Sequence, residues 1–191
     1  LGTLRVISGS ARGFRLHDVP GDVTRPITDR VKESLFNILG MDVAESTWWD
    51  VFGGTGAVGI EALSRGANFV RFTDNNRDAI EAINFNLTHT KLNEKARVIR
   101  CNAFQMLKQA VDRSFDYIYI APPQYKNLWL DALNMVDEHS EWLAEDGWVI
   151  VQIHPVEYQP VKLTHFIEIE QRKYGSTLLV FFEWKVEEEN A

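Results

Sequence analysis

The residues best equipped for chemistry lie in two short stretches. The first is Asp50-Val-Phe-Gly-Gly-Thr-Gly-Ala-Val-Gly59, in which Gly54, Gly56 and Gly59 fit a G-x-G-x-x-G spacing. Glycines so placed let the chain turn tightly and let its backbone approach a ligand. Dinucleotide enzymes use the same spacing, with an acid about 20 residues further on to hold a ribose. Asp74 stands in that place, although in Asp74-Asn75-Asn76 it also reads as a turn residue. Asp50 argues against a dinucleotide, because a carboxylate ahead of the glycines would repel a pyrophosphate. It suits a ligand with a positive amino group, such as the methionine part of S-adenosylmethionine. The second stretch is Ala121-Pro122-Pro123-Gln124-Tyr125. Paired prolines after a strand build a rigid lip, and open parallel sheets bind ligands at the carboxyl ends of their strands. Asn102 offers an amide that either contacts an adenine or caps the helix that follows it.

These residues need a scaffold that gathers strand ends. From Thr47 onward, short apolar runs alternate with helical patterns. Strands are predicted at 48–52, 69–73, 96–100, 116–120 and 147–153, and helices at 57–64, 77–89, 104–111 and 128–138. Two closing strands, 166–173 and 177–185, form a hairpin about Tyr174-Gly175-Ser176. The alternation predicts a parallel sheet covered on both faces, with the hairpin adding antiparallel strands at one edge. Ahead of it, 4–8 and 14–16 read as a small β-hairpin with Gly9 and Gly13 in its turn. Thr28 or Asp29 then caps a helix through Leu39. The expected fold is α/β and Rossmann-like, a mostly parallel seven-stranded sheet. Its expected division is 1–39 as an N-terminal hairpin-and-helix appendage, 40–186 as the main domain and 187–191 as an acidic tail. Trp48 and Trp49 begin the first of these strands and are expected to pack, with an outward-facing one as the alternative because neighbouring side chains on a strand alternate.

Composition narrows the setting. No apolar run approaches the roughly 18 residues of a membrane helix, and the first residues lack a signal-peptide pattern. The lone cysteine, Cys101, excludes an internal disulfide and fits a reducing cytoplasm as a packed thiol. The five histidines (17, 89, 139, 154, 165) include no close-spaced pair, so no metal site is expected. Net charge is −7, yet residues 1–38 carry six basic and four acidic side chains against 14 and 23 in the remainder. A locally basic face can hold phosphate on an acidic protein, but charge alone favours an ordinary fluctuation of the surface.

Three stretches together identify a family. They are Arg5-Val-Ile-Ser-Gly-Ser-Ala-Arg-Gly-Phe-Arg-Leu16, Thr24-Arg-Pro-Ile-Thr-Asp-Arg-Val-Lys-Glu-Ser-Leu-Phe-Asn37 and the run from Asp50 to Ala67. In these the chain resembles the bacterial small-subunit (16S) ribosomal RNA guanine-N2 methyltransferases, the RsmD-like family. The resemblance implies a class I methyltransferase fold, S-adenosyl-L-methionine as methyl donor and a guanine N2 amine of ribosomal RNA as acceptor. It implies a cytoplasmic monomer whose partner is ribosomal RNA or the small ribosomal subunit. The implied cofactor residues are Thr28, Asp50, Gly53, Gly54, Gly56, Asp74 on the ribose, Asn75, and Asn102 with Ala103 near the adenine. Arg12, Arg15, Arg25 and Arg30 are the implied RNA contacts. The implied catalytic stretch is Ala121, Pro122, Pro123, Gln124 and Tyr125.

That last stretch departs from the family pattern, Asp/Asn-Pro-Pro-Tyr/Phe. Alanine brings no side-chain acceptor for an amine N–H. The backbone carbonyls of Ala121 and Pro122 and the Gln124 side chain are the expected substitutes, and Tyr125 the expected stacking partner for an extruded base. The departure keeps two other readings in play. One is an assembly factor that binds donor and RNA with little or no turnover. The other is an adenine-N6 DNA methyltransferase, a group that shares the paired prolines. An NAD enzyme ranks last.

Overall fold

The computed structural model describes residues 4–20 and 27–186. Seven strands form one sheet: β1 (Thr47–Asp50), β2 (Phe69–Asp74), β3 (Ala96–Arg100), β4 (Phe115–Ile120), β5 (Leu143–Ile153), β6 (Phe166–Tyr174) and β7 (Thr177–Trp184). Their order is β3-β2-β1-β4-β5-β7-β6. The first five pair in parallel, and β7 pairs antiparallel with both β5 and β6. Five helices connect or flank them: α1 (Asp29–Leu39), α2 (Ala57–Ser64), α3 (Arg77–Thr90), α4 (Ala103–Leu107) and α5 (Leu128–Glu138). Helices on both faces explain why β1 and β4 read as apolar runs rather than alternating ones. The chain steps from β1 outward to β3, then returns to lay β4 on the other side of β1. The connections leaving the carboxyl ends of β1 and β4 therefore run in opposite directions at a topological switch point, where open α/β sheets hold ligands.

The doubly covered sheet buries both tryptophans of β1, as the expectation that they pack requires, and neither faces outward. Trp48 stacks with Phe36 and Tyr117 at 5.6 and 4.6 Å between ring centroids. Trp49 packs with Phe115 and Trp142 on the opposite face. β1 also stops two residues short of Phe52, because the chain begins turning at Val51.

The N-terminal hairpin is less regular than its sequence suggests. Residues 4–16 double back, but only Arg5 and Arg15 form a bridge. The reason lies in α2, every residue of which is buried. Glu61 on that helix accepts the N–H groups of Ile7 and Ser8 at 2.8 and 3.0 Å. Ser64 Oγ accepts from Ala11 N and its carbonyl from Ser10 N. Donors that would extend the strand pairing are directed instead onto the helix. Val6, Ala11 and Leu16 thereby join the same buried cluster as Trp48 and Ile60.

Helix α4 ends at Leu107, four residues before the predicted stop at 111. Trp142 Nε1 donates to the Leu107 carbonyl at 3.1 Å, the acceptor a further turn needs for residue 111. Conversely β5 starts at Leu143 rather than 147, with an irregularity against β4 between Phe115 and Tyr117. Among the described residues no helix is long and apolar enough to cross a membrane. The acidic stretch 187–191 and Arg25 lie outside the described residues.

Candidate active site

A cavity of about 690 Å3 opens at the carboxyl ends of β1 and β4. It joins the two stretches that the sequence singles out. Asp50, Gly53 and Gly54 line one side, and Ala121 to Tyr125 the other. Thr28 also lines it, while its Oγ1 caps α1 by accepting from Val31 N at 3.3 Å.

Asp50 ends β1 and is 2 % exposed. Its Oδ1 has no hydrogen-bond partner. Burial, and then the Asp74 carboxylate nearby, push its pKa well above the usual carboxylate range, with the Gly59 amide pulling the other way. A buried carboxyl oxygen left over beside a cavity is an acceptor waiting for a donor, and a cation there would restore its charge. Next to it Gly54 has φ +54°, and a Cβ built on it would meet nothing within 4 Å. Its Cα side thus faces open space, while its N–H is held by Asp74. Gly59 answers a different need. A Cβ there would stand 2.3 Å from the Phe72 ring, so this glycine seats α2 against the sheet.

Asp74 is fixed by the loop it faces. Its Oδ2 accepts from Gly54 N and its Oδ1 from Asn76 N, both at 2.9 Å. It thus reads as both turn residue and loop anchor, still half-exposed. Asp74, Asn75, Gly56, Asn102 and Ala103 are not among the residues lining the cavity. Asn75 is exposed, and its carbonyl accepts from Arg100 Nε. Gly56 caps the start of α2. Asn102 caps α4, its Oδ1 accepting from Phe104 N at 2.9 Å, which is the capping half of its two readings. Ala103 is buried in the first turn of α4.

Across the cavity, Pro122 is buried, Ala121, Pro123 and Gln124 are half-buried, and Tyr125 is exposed. Tyr125 has φ +65°, an unusual conformation for a bulky residue. Its N–H donates to Glu157 Oε1 at 2.8 Å, while Glu157 Oε2 accepts from His154 N. Glu157 therefore ties the proline lip to the 3₁₀ turn Pro155–Glu157 after β5. Of the arginines, Arg12, Arg15 and Arg30 are exposed on residues 4–16 and α1.

Among the further lining residues that the motifs do not single out are Tyr119 and Gln152. Tyr119 donates to Gln152 Oε1 at 2.6 Å. Its pKa is pushed well above the ordinary phenol value by burial and by Asp50, so the hydroxyl keeps its proton. Because the amide oxygen of Gln152 is taken, its N–H groups remain as donors. A signal was present: Gln152 is the one polar residue in the run Trp148-Val-Ile-Val-Gln-Ile153.

The chain's likenesses agree with this geometry. A family described as "Conserved hypothetical protein 95" matches residues 4–183. YlbH of Bacillus subtilis (strain 168), provisionally named an rRNA methyltransferase, is 39% identical, over 91% of this chain and 95% of that protein. Ribosomal RNA small subunit methyltransferase D of Haemophilus influenzae is 35% identical, over 79% of each chain. The solved structure of yhhF from Escherichia coli, provisionally named a methyltransferase, superimposes with a TM-score of 0.85 at 28% identity, covering 96% of this chain and 99% of that one. The seven-stranded sheet is that of class I methyltransferases, and the chain belongs to the family described as conserved hypothetical protein 95, the family of ribosomal RNA small subunit methyltransferase D.

Proposed function

We propose that this protein methylates the exocyclic N2 amine of a guanine in small-subunit ribosomal RNA, with S-adenosylmethionine as donor. The observation that carries the reading is the unpartnered Asp50 oxygen beside the open Cα side of Gly54, in one cavity with the proline lip. When bound, S-adenosylmethionine supplies an electrophilic methyl on a sulfonium centre. Asp50 is suited to its ammonium group, Gly53 and Gly54 to close backbone contact, and Asp74 to a ribose hydroxyl.

The remaining work falls to the chain's own groups. A guanine amine is a weak nucleophile, since its lone pair is shared with the ring. Orientation therefore matters more than a strong base. The carbonyls of Ala121 and Pro122 accept from the amine N–H groups and hold the nitrogen in line. The proton shed on methylation passes to these acceptors and on to water. Gln152 donates to the carbonyl edge of the base, and Tyr125 stacks on it at the mouth.

Ala121 favours one rival, a donor- and RNA-binding assembly factor without turnover. Both readings meet in a single assay, methyl transfer to undermethylated small subunits followed by mass spectrometry of the nucleosides. The wild type is expected to yield N2-methylguanosine, and Ala121→Asp to yield it faster. A restored catalytic hydrogen bond is worth on the order of 10²-fold. Wild-type silence with an active Ala121→Asp would favour the assembly factor, and methyladenine would point to the adenine-specific reading.

A further inference from the structure

Outside the cavity, four aromatic rings form a continuous strip on the surface. His17 lies 4.0 Å from Phe85 between ring centroids, Phe85 lies 5.8 Å from His89, and His89 lies 5.2 Å from Phe14. Phe85 is 47% exposed, both histidines are exposed and Phe14 is half-buried. Among the described residues no element covers this strip, although a phenyl ring held half in water is costly in the absence of a partner.

The strip is built and not incidental. Asn86, fully buried on α3, accepts from His17 N at 2.7 Å and donates to the carbonyls of His17 and Thr55. One side chain thus locks the strip to the glycine loop. Thr55 and Asp18, the residue after His17, both line the cavity. The rings therefore lead outward from the cavity's edge. Phe14, the ring at the other end, sits between Arg12 and Arg15 in sequence, both exposed.

Rings beside cations have a natural complement in an unpaired polynucleotide. Every base has a π face, and guanidinium groups meet the phosphates. An extruded target nucleotide also leaves its neighbours unstacked. We propose that the Phe14, His89, Phe85 and His17 rings form a stacking surface for unpaired RNA bases adjoining the nucleotide in the cavity. The inference rests on the reading of the chain as an RNA methyltransferase.

The test uses the full chain and a short single-stranded RNA carrying the fluorescent base 2-aminopurine. The variants are Phe85→Leu, which keeps apolar bulk without a ring, Phe85→Trp, and the pair Arg12→Ala with Arg15→Ala. Phe85→Leu is expected to weaken RNA binding at least fivefold, as a lost base stack does roughly 5- to 100-fold. It should relieve the quenching of 2-aminopurine and leave the salt slope and the affinity for S-adenosylhomocysteine unchanged. Phe85→Trp is expected to restore binding and quenching. The arginine pair should instead lower the salt slope. A Phe85→Leu protein that binds RNA as tightly as a methylating wild type would overturn the stacking surface and leave the enzyme reading standing. Unchanged RNA binding with lost activity on assembled subunits would assign the strip to a ribosomal protein, against the proposal. A wild type that neither binds nor methylates RNA would overturn both.

Discussion

Asp50 and Tyr119 sit side by side on β1 and β4 and face one cavity. In the free protein each is held toward its protonated form by burial. For Asp50 this has two measurable consequences. A carboxyl whose folded-state pKa is raised is unpenalised below the ordinary carboxylate value. It becomes a liability as pH rises, reaching the full cost once the folded-state pKa is passed. Asp50→Asn is therefore expected to raise the melting temperature at neutral pH and to have little effect in acid. An ammonium ligand needs the carboxylate, so its binding expels a proton. Affinity for S-adenosylmethionine should rise with pH until Asp50 of the free protein has ionised. Calorimetry in buffers of differing ionisation enthalpy would register that proton release, and its absence would show that Asp50 is already ionised in the free protein.

Tyr119 and Gln152 carry the second prediction at this scale. Gln152→Leu should lower kcat/KM roughly tenfold to a hundredfold, the worth of one base-edge contact. Tyr119→Phe should free the amide to rotate and reduce discrimination between guanine and adenine. An unaltered base preference in both variants would remove Gln152 from recognition. Neither role was legible beforehand, because spacing along a strand does not tell which of two buried faces meets a cavity.

The elements show where local pattern suffices and where it does not. β4 and α5 were legible because long apolar runs and helical periodicity agree with their burial. α4 was overextended, since nothing near Leu107 in the chain announces that Trp142 takes its carbonyl. The hairpin was drawn too regular for the same reason, as Glu61 lies over fifty residues from the amides it accepts. Glu61 also faces the buried Lys32 Nζ at 3.5 Å and bonds Arg65 Nε at 2.8 Å. Burial lowers the Lys32 pKa against the opposing pull of Glu61. Glu61→Gln leaves that ammonium without its counterion and should cost about 3 kcal/mol. Hydrogen exchange should then show residues 4–16 opening before the sheet, whereas uniform protection would deny the docking role. Gly59→Ala should cost about 1–3 kcal/mol by driving a methyl into the Phe72 ring.

At the scale of the whole molecule, the order β3-β2-β1-β4-β5-β7-β6 matters because it opens a cleft at the β1–β4 boundary. The alternation of strands and helices made a parallel sheet legible, and the closing hairpin its antiparallel edge. Strand order was not legible, since alternation alone does not decide on which side of β1 the chain returns. The cavity was legible only as two motifs. Their meeting across the switch point is a property of topology, as is the exclusion of Asn102 and Ala103 from the lining. The net charge of −7 likewise conceals an N-terminal end that carries exposed arginines beside an aromatic strip.

The central claim is that the buried carboxyl and the glycine turn hold a sulfonium donor. Calorimetric titration of the wild type and of Asp50→Ala with S-adenosylmethionine and S-adenosylhomocysteine tests it most directly. The account predicts saturable one-site binding of both ligands to the wild type, weakened at least tenfold in the variant. A wild type that takes up neither ligand, or an Asp50→Ala protein that binds both as well as the wild type, would contradict it.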